Sequence, residues 1–397
     1  MTPNPQIDPA ILGALSLPAS TTKITPHGGS GFTSTFRLTS TPISTTLSQT
    51  FFIKISSNPS ASTMFRGEHT SLNAIHTVVP SLCPRSFAWG KLDQDPDSYF
   101  LATEFANLKS SHDHQPSKNS SSRGGGMTLP QKLAKLHTTP APLPTTSHST
   151  TATTPQFGFP VPTCCGDTPQ PNPFTASWPD FFAQHRLRFI LGRGERRNGA
   201  DAELRSLVER TAETVVPRLL GCRHLGGTQG IVPVVVHGDL WSGNRGLAVF
   251  PGRRDGGDQS KTQSESPSSQ SQSRSRSQSL SQFDTDDTET SNNDHNYCEN
   301  PSETPEEIIY DPSSTYAHSE YELGIMQMFG GFSAAFMREY HNLVPKTEPV
   351  EEYEDRVSLY ESYHHLNHWA IFGATGYREG AVGILGKLVR RYGGGNS

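Results

Sequence analysis

The chain has 397 residues and a formal net charge of −5, enough length for a full core and no basic footprint for nucleic acid. Only 32% of it is hydrophobic, against 35 Gly and 31 Pro, so a globular body carrying polar insertions is expected rather than one uniformly packed unit. No stretch approaches membrane-spanning length, no secretory leader is expected, and five cysteines without C-x-x-C spacing argue for reduced thiols in a cytoplasmic protein.

In chain order, Asp8 to Leu17 opens with a helical turn. Gly28 and Gly29 then stand between two candidate strands, where glycine lets backbone amides approach phosphates, although a plain hairpin turn fits as well. Phe51 to Ile55 reads as a strand with one lysine, Lys54, set in an apolar run. Met64 to Glu68 begins a segment with Leu72 and Ile75 at helical spacing. Tyr99 to Asn107 is a strand running into a connector whose Glu104, Phe105 and Ala106 could offer backbone groups to an adenine ring, a simple strand end being the competing reading. The runs Ser110 to Gly126 and Thr138 to Thr154 are polar loops. Helical spacing returns at Leu129 to His137, Asp180 to Ile190 and Glu203 to Leu220, predicting a mostly helical second half. Residues 252–305 form a low-complexity insert of Ser, Gln, Arg and Asp that is expected to be disordered. Order is expected to resume at Glu307 to Tyr310, a strand ending in Asp311. Gly330-Gly331-Phe332 stands in a helical context. His364, His365 and His368, in the run Ser358 to Trp369, read as helix residues rather than a metal cluster.

The most informative stretch is Val234 to Asn244, a β-branched run ending in His237, Asp239 and Asn244. A buried strand that delivers polar groups to a loop is a common seat of chemistry. The spacing His-x-Asp-x-x-x-x-Asn is that of a loop in which Asp accepts the proton of a hydroxyl nucleophile and Asn ligates magnesium on ATP phosphates. A strand end whose Asp and Asn merely make a turn is the competing reading. In kinase-like folds a strand lysine holds the nucleotide phosphates and a helical glutamate orients it. Lys54 and Glu68 stand in that order, and Asp311 is the candidate for a second magnesium ligand, or else a turn-initiating Asp-Pro.

Taken together, His237-Gly238-Asp239-Leu240-Trp241-Ser242-Gly243-Asn244, Asp311-Pro312, His318 to Gly324, Met328 to Phe332 and Leu366-Asn367-His368-Trp369 with Phe372-Gly373 resemble the fructosamine kinase family. Lys54, Met64 to Glu68 and Asp167 to Asn172 match as well. The resemblance implies an α+β, protein-kinase-like fold of two lobes, with residues 1–107 as the β-rich lobe and 108–397 as the helical one. It implies transfer of the ATP γ-phosphoryl group to the 3-hydroxyl of a ketosamine, free or on a protein lysine, which labilises the adduct. Asp239 would be the base, Asn244 and Asp311 the Mg²⁺ ligands, Lys54 the phosphate cation and Glu68 its partner. Trp241 would offer an apolar face to the sugar, with His368 also near it. Rival readings are a kinase of the same fold acting on an aminoglycoside or choline, and an inactive member that binds sugar adducts.

The chain departs from the family pattern at three places, one of them the long insert before Asp311. His318-Ser319-Glu320 followed by Glu322 replaces a His-Arg-Glu run followed by Asp, losing an arginine and lengthening a carboxylate, a change expected to bear on substrate preference. Gly31 stands where many members carry a cysteine, so redox control through that loop is not expected.

Overall fold

The computed structural model describes residues 6–29, 33–41, 48–109, 126–144, 155–251 and 305–394. The expected disorder of the 252–305 insert, apart from Pro305, lies outside these residues, as does Gly31.

The N-terminal half is built on an antiparallel sheet in the order β1-β2-β3-β5-β4, from β1 (Thr22–Pro26), β2 (Ser34–Ser40), β3 (Gln49–Ser56), β4 (Ser86–Lys91) and β5 (Tyr99–Glu104). Side chains alternate across a strand. In β3 this sends Phe51 and Ile53 into a core with Ile11, Leu17, Ile24, Leu38 and Phe100, while Phe52 and Lys54 face the other way. Helix α1 (Pro9–Leu15) covers the core face. Its cap Asp8 accepts from the amides of Ala10, Asp93 and Gln94, tying the helix to the loop after β4. The opposite face stays open as one wall of a cleft.

Helix α2 (Ala61–Val78) lies against β4 and β5, while its Leu72 and Ile75 enter a second core with Leu82, Leu133 and Val235. It also touches the hairpin of β7 (Thr163–Cys165) and β8 (Thr168–Gln170), which belongs to the second half of the chain. Short strand β6 (Asn107–Leu108) joins β10 (Arg245–Val249) and β11 (Glu306–Ile309) in a three-stranded sheet, so the chain leaving the first sheet is stitched to the second half at once.

Helices dominate the rest. A capping box of Thr128 and Gln131 starts α3 (Leu129–Thr138). Helix α4 (Trp178–Phe182) runs through a π-helical stretch into α5 (Phe189–Asn198), and α6 (Ala202–Arg210) likewise into α7 (Val216–Leu220). Helix α10 (Tyr353–Phe372) is buried on nearly every side, packed by α5, by α8 (Tyr321–Phe329) and by α11 (Thr375–Tyr392). At Gly324 the backbones of α8 and α10 come so close that an added Cβ would stand 2.6 Å from the Glu361 nitrogen, which glycine alone permits. The indole of Trp178 donates to the Tyr360 hydroxyl at 2.9 Å, pinning α4 to α10.

The helical context expected for Gly330-Gly331-Phe332 does not hold. Helix α8 ends at Phe329, Gly330 and Gly331 take φ of 65° and 89°, and α9 (Ala334–Leu343) begins after the N-cap Ser333. The positive φ values break the helix and turn the chain back toward the start of β10, where Arg245 donates to the Gly331 carbonyl.

Candidate active site

The run Val234–Val236 forms β9, fully buried and paired with β12 (Thr315–Ala317). Its β-branched side chains fill both faces, and the chain then turns at Gly238, whose φ of 81° and close approach to Ser313 exclude any side chain. His237 is buried between two local contacts. Its Nδ1 accepts from the Asp239 amide at 3.2 Å, which leaves Nε2 as the donor to the Tyr310 carbonyl at 2.9 Å. Burial holds it below the ordinary histidine range, despite Glu322 nearby, so the neutral imidazole braces the loop.

Glu322 lies beneath the same loop, fully buried. Its carboxylate accepts from the His237 amide at 2.5 Å and the Gly238 amide at 3.0 Å, with His137 Nε2 3.7 Å away. Burial alone would push this carboxyl up. The contacts with His137 and His237 outweigh it and keep the group charged below its usual range. The longer carboxylate at this position therefore shapes the loop rather than facing a substrate. Glu320, two residues earlier, turns to Arg356 in a two-pronged pair at 2.8 and 3.1 Å.

Strand pairing then brings the remaining groups together. Asn244 precedes β10 and Asp311 follows β11, and the register Arg245↔Ile309 sets them side by side, with the Tyr310 amide donating to the Asn244 carbonyl at 3.0 Å. Asp311 adopts a left-handed φ of 59°, which aspartate tolerates better than most residues. The Asn244 amide donates to the Asp239 carbonyl oxygen at 2.8 Å and to Oδ2 at 3.3 Å. Across the cleft, Lys54 Nζ stands 2.7 Å from Glu68 Oε1 and 2.6 Å from Asp311 Oδ1. Burial pulls Lys54 down, but the Asp311 and Glu68 carboxylates prevail and hold it above the ordinary lysine range. Burial raises Glu68 to about 7 against the pull of Lys54. Burial also raises Asp239 to about 8, with Asp311 and Glu322 adding and the Cys165 thiol and Asn244 opposing.

Two cavities meet at Lys54, Glu68 and Asp311. One, of about 320 Å³, lies under the open sheet face and is lined by Gly28, Gly29, Phe52, Glu104 and Ala106 among others. Phe105 is not in that lining: its ring is buried beside His27, at 5.0 Å, with the Arg37 guanidinium over it. The other, of about 390 Å³, takes in Asp239, Asn244, Trp241 and His368. The sequence reading did not single out Cys165 and Asn367 as site residues. Asn367 Nδ2 donates to the Cys165 carbonyl and sulfur, both at 3.3 Å, and the buried thiol lies near enough to Asp239 to oppose the rise of its carboxyl. Their signals were present, in the adjacent Cys164-Cys165 and in the Leu366-Asn367-His368-Trp369 run, but nothing local ties either to Asp239. Among the described residues no group of three or more His, Cys, Asp or Glu is arranged to hold a metal by itself, and no helix is long and apolar enough to cross a membrane.

A five-stranded sheet over a helical body, with a lysine–glutamate pair facing an Asp/Asn loop across a cleft, is the two-lobed protein-kinase-like fold of a phosphotransferase. A solved fructosamine-3-kinase-like protein of Thermobifida fusca superposes with a TM-score of 0.59 at 19% identity, covering 92% of this chain and 93% of that one. The family model for fructosamine kinase matches residues 17–250 and 294–391, and the chain belongs to that family. Among curated relatives, ketosamine-3-kinase of Mus musculus is 29% identical over 351 residues, covering 85% of this chain and 88% of its own length. The chloroplastic protein-ribulosamine 3-kinase of Oryza sativa subsp. indica is 27% identical over 340 residues, covering 86% and 72%.

Proposed function

We propose that the protein transfers the γ-phosphoryl group of Mg-ATP to the 3-hydroxyl of ketosamines, ribulosamine or fructosamine, free or on protein lysines, leading to deglycation. The observation that carries this reading is the meeting of two cavities at Lys54, Glu68 and Asp311, one suited to a nucleotide and the other to a sugar-sized acceptor. The acceptor cavity opens on Asp239, and family membership supplies the acceptor class.

The nucleotide would lie under the sheet, with its adenine against Glu104 and Ala106 and its phosphates near Gly28, Gly29 and Lys54. Asn244 and Asp311 offer the oxygen ligands that a hard divalent cation takes, since the Asn244 side-chain nitrogen is engaged by Asp239 and its side-chain oxygen Oδ1 is left for the ion. Bound Mg²⁺ would supply charge neutralisation on the transferring phosphate. Asp239 takes the hydroxyl proton, and a carboxylate raised toward neutrality is matched to that task. Glu68 orients Lys54, and Glu322 fixes the loop through two backbone amides, so the catalytic groups are set before the acceptor arrives. Trp241, 37% exposed at the cavity wall, gives the sugar an apolar face.

The test is phosphate transfer from Mg-ATP to a lysine-linked ribulosamine, with a fructosamine and unmodified lysine alongside. Transfer to the sugar adducts and none to lysine is the expected result. No transfer to either adduct, with Mg-ATP bound, would turn the assignment toward aminoglycoside- or choline-type acceptors or toward an inactive binder.

A further inference from the structure

The acceptor cavity extends beyond the reacting groups. Past Asp239 and Asn244 its wall is aromatic: Trp241, Phe329, His368, Phe372 and Tyr377. These rings touch in a chain, with centroids 5.5 Å apart for Trp241 and Phe329, 5.0 Å for Phe329 and His368, and 5.1 Å for His368 and Tyr377. Phe372, 6.2 Å from Tyr377, is 60% exposed, more than any other large apolar side chain among the described residues. Among those residues no arginine or lysine stands over any of these five rings, although cations cover Phe87, Phe105, Phe181 and Phe332 elsewhere.

A second observation lies at the floor of this wall. Asn367 lines the same cavity and is fully buried. Its nitrogen donates to the Cys165 carbonyl, which sets the amide orientation, because a flipped amide would oppose two carbonyl oxygens. Its Oδ1 is left without a partner among the described residues. A buried acceptor with no donor is costly unless something brings one.

Building on the ketosamine reading, we infer that this half of the cavity is a subsite for the acceptor's secondary ammonium and the alkyl stem attached to it. Asn367 Oδ1 takes an ammonium N–H, while Phe372 and Tyr377 cover the cation and the first carbons of the stem. The chemistry of the acceptor fits this layout. In a ketosamine the nitrogen is on the first carbon and the reacting hydroxyl on the third, so the partner of the nitrogen must lie close to the base. Asn367 donates to the Cys165 thiol, and Cys165 and Asp239 line the same cavity. Aromatic faces attract ammonium groups and shield alkyl stems from water. The subsite thus selects a lysine-linked sugar over the same sugar without its amine.

The experiment compares three acceptors: a lysine-linked ribulosamine, 1-amino-1-deoxyribulose without the stem, and ribulose with a hydroxyl in place of the amine. The wild-type protein should show kcat/KM falling by roughly tenfold when the stem is lost, chiefly through KM, and by about tenfold or more again when the amine is lost. Phe372→Ala, at an exposed position where folding is not at issue, should cut the preference for the stem-bearing acceptor by about fivefold. Equal kcat/KM for all three acceptors with the wild-type protein overturns the inference. So does a Phe372→Ala loss that is the same for all three, which would make the ring structural only. Failure of the wild-type protein to phosphorylate any of them removes the ketosamine reading itself, and this subsite with it.

Discussion

The cavity under the sheet and the cavity over the helices share Lys54, Glu68 and Asp311 but are built differently. The first draws most of its wall from residues 27–108, through strands whose alternation decides which side chains face inward. The second adds to Thr33, Met64 and Pro312 the β7–β8 turn, the 239–244 loop, the end of α8, the last turns of α10 and the start of α11. A wall made by strand register tolerates variation in the side chains that point away. A wall made by so many separate segments depends on each of them arriving in place, and on the proposed reading acceptor selectivity is set there. Substitutions that hit one cavity and spare the other are the sharpest way to probe that division.

The largest effect is expected at the boundary. Asp239→Asn keeps size and much of the hydrogen bonding but removes the proton acceptor, so turnover should fall by about 10³-fold. Mg-ATP affinity, read by calorimetry, should stay close to that of the wild type. A variant retaining more than a tenth of wild-type turnover would remove Asp239 from the role of base. Lys54→Met, on the sheet side, is expected to cost about 10²-fold in kcat/KM for ATP. Because it also strips Glu68 and Asp311 of their shared cation, acceptor KM serves as the control. A rise in acceptor KM as large as that for ATP would mean the two cavities do not divide the work.

What the sequence disclosed follows the same division. Lys54 in its strand, Glu68 on its helix and the Val234 to Asn244 stretch are local signals, carried by periodicity and spacing, and the structure brings these residues together with Asp311. Phe105 was placed at the adenine wall for the backbone groups a connector can offer; Glu104 and Ala106 line the cavity, while the Phe105 ring packs beside His27. Gly330 and Gly331 read as helical from their apolar neighbours, and positive φ decides otherwise. Asn367 and Cys165 were illegible as site residues for a different reason. Their meeting depends on α10 packing against the β7–β8 hairpin, 202 residues apart in the chain, and no local pattern encodes such a contact. Glu322 was visible only as a departure from a family pattern, and its two bonds to the loop amides require the fold.

Acid should weaken the helical half. His318 is buried between the Tyr360 and Thr347 hydroxyls at 2.9 and 2.8 Å, and burial lowers it to about 4. Above its unfolded value of about 6.5 neither state carries the proton, and no stability is lost. As pH falls from there toward 4 the unfolded chain binds the proton first, so the native state loses about 3 kcal/mol, complete once pH passes below the folded value. His237 and His364, also lowered by burial, add to the slope in the same direction. Urea unfolding at about pH 7 and pH 4.5 measures it, and His318→Gln should flatten the pH dependence by that one residue's share. An unchanged slope would mean that His318 titrates in the native protein as it does in the unfolded chain.

The smallest effect tests how finely the acceptor side is set. The Cys165 thiol stands beside the Asp239 carboxylate on one side and accepts from Asn367 on the other, and burial pushes it far above the usual thiol range, so it acts as a fixed donor and not as a nucleophile. Removing one neutral donor beside the base leaves its charge intact and loosens only its aim. Cys165→Ala should therefore lower kcat about fivefold with KM for ATP unchanged, while Cys165→Ser, which restores a donor of similar reach, should recover most of it. If Ser and Ala behave alike, the thiol fills space beside Asp239 without positioning it. If KM for ATP rises with either, the boundary between the two cavities is less sharp than their linings suggest.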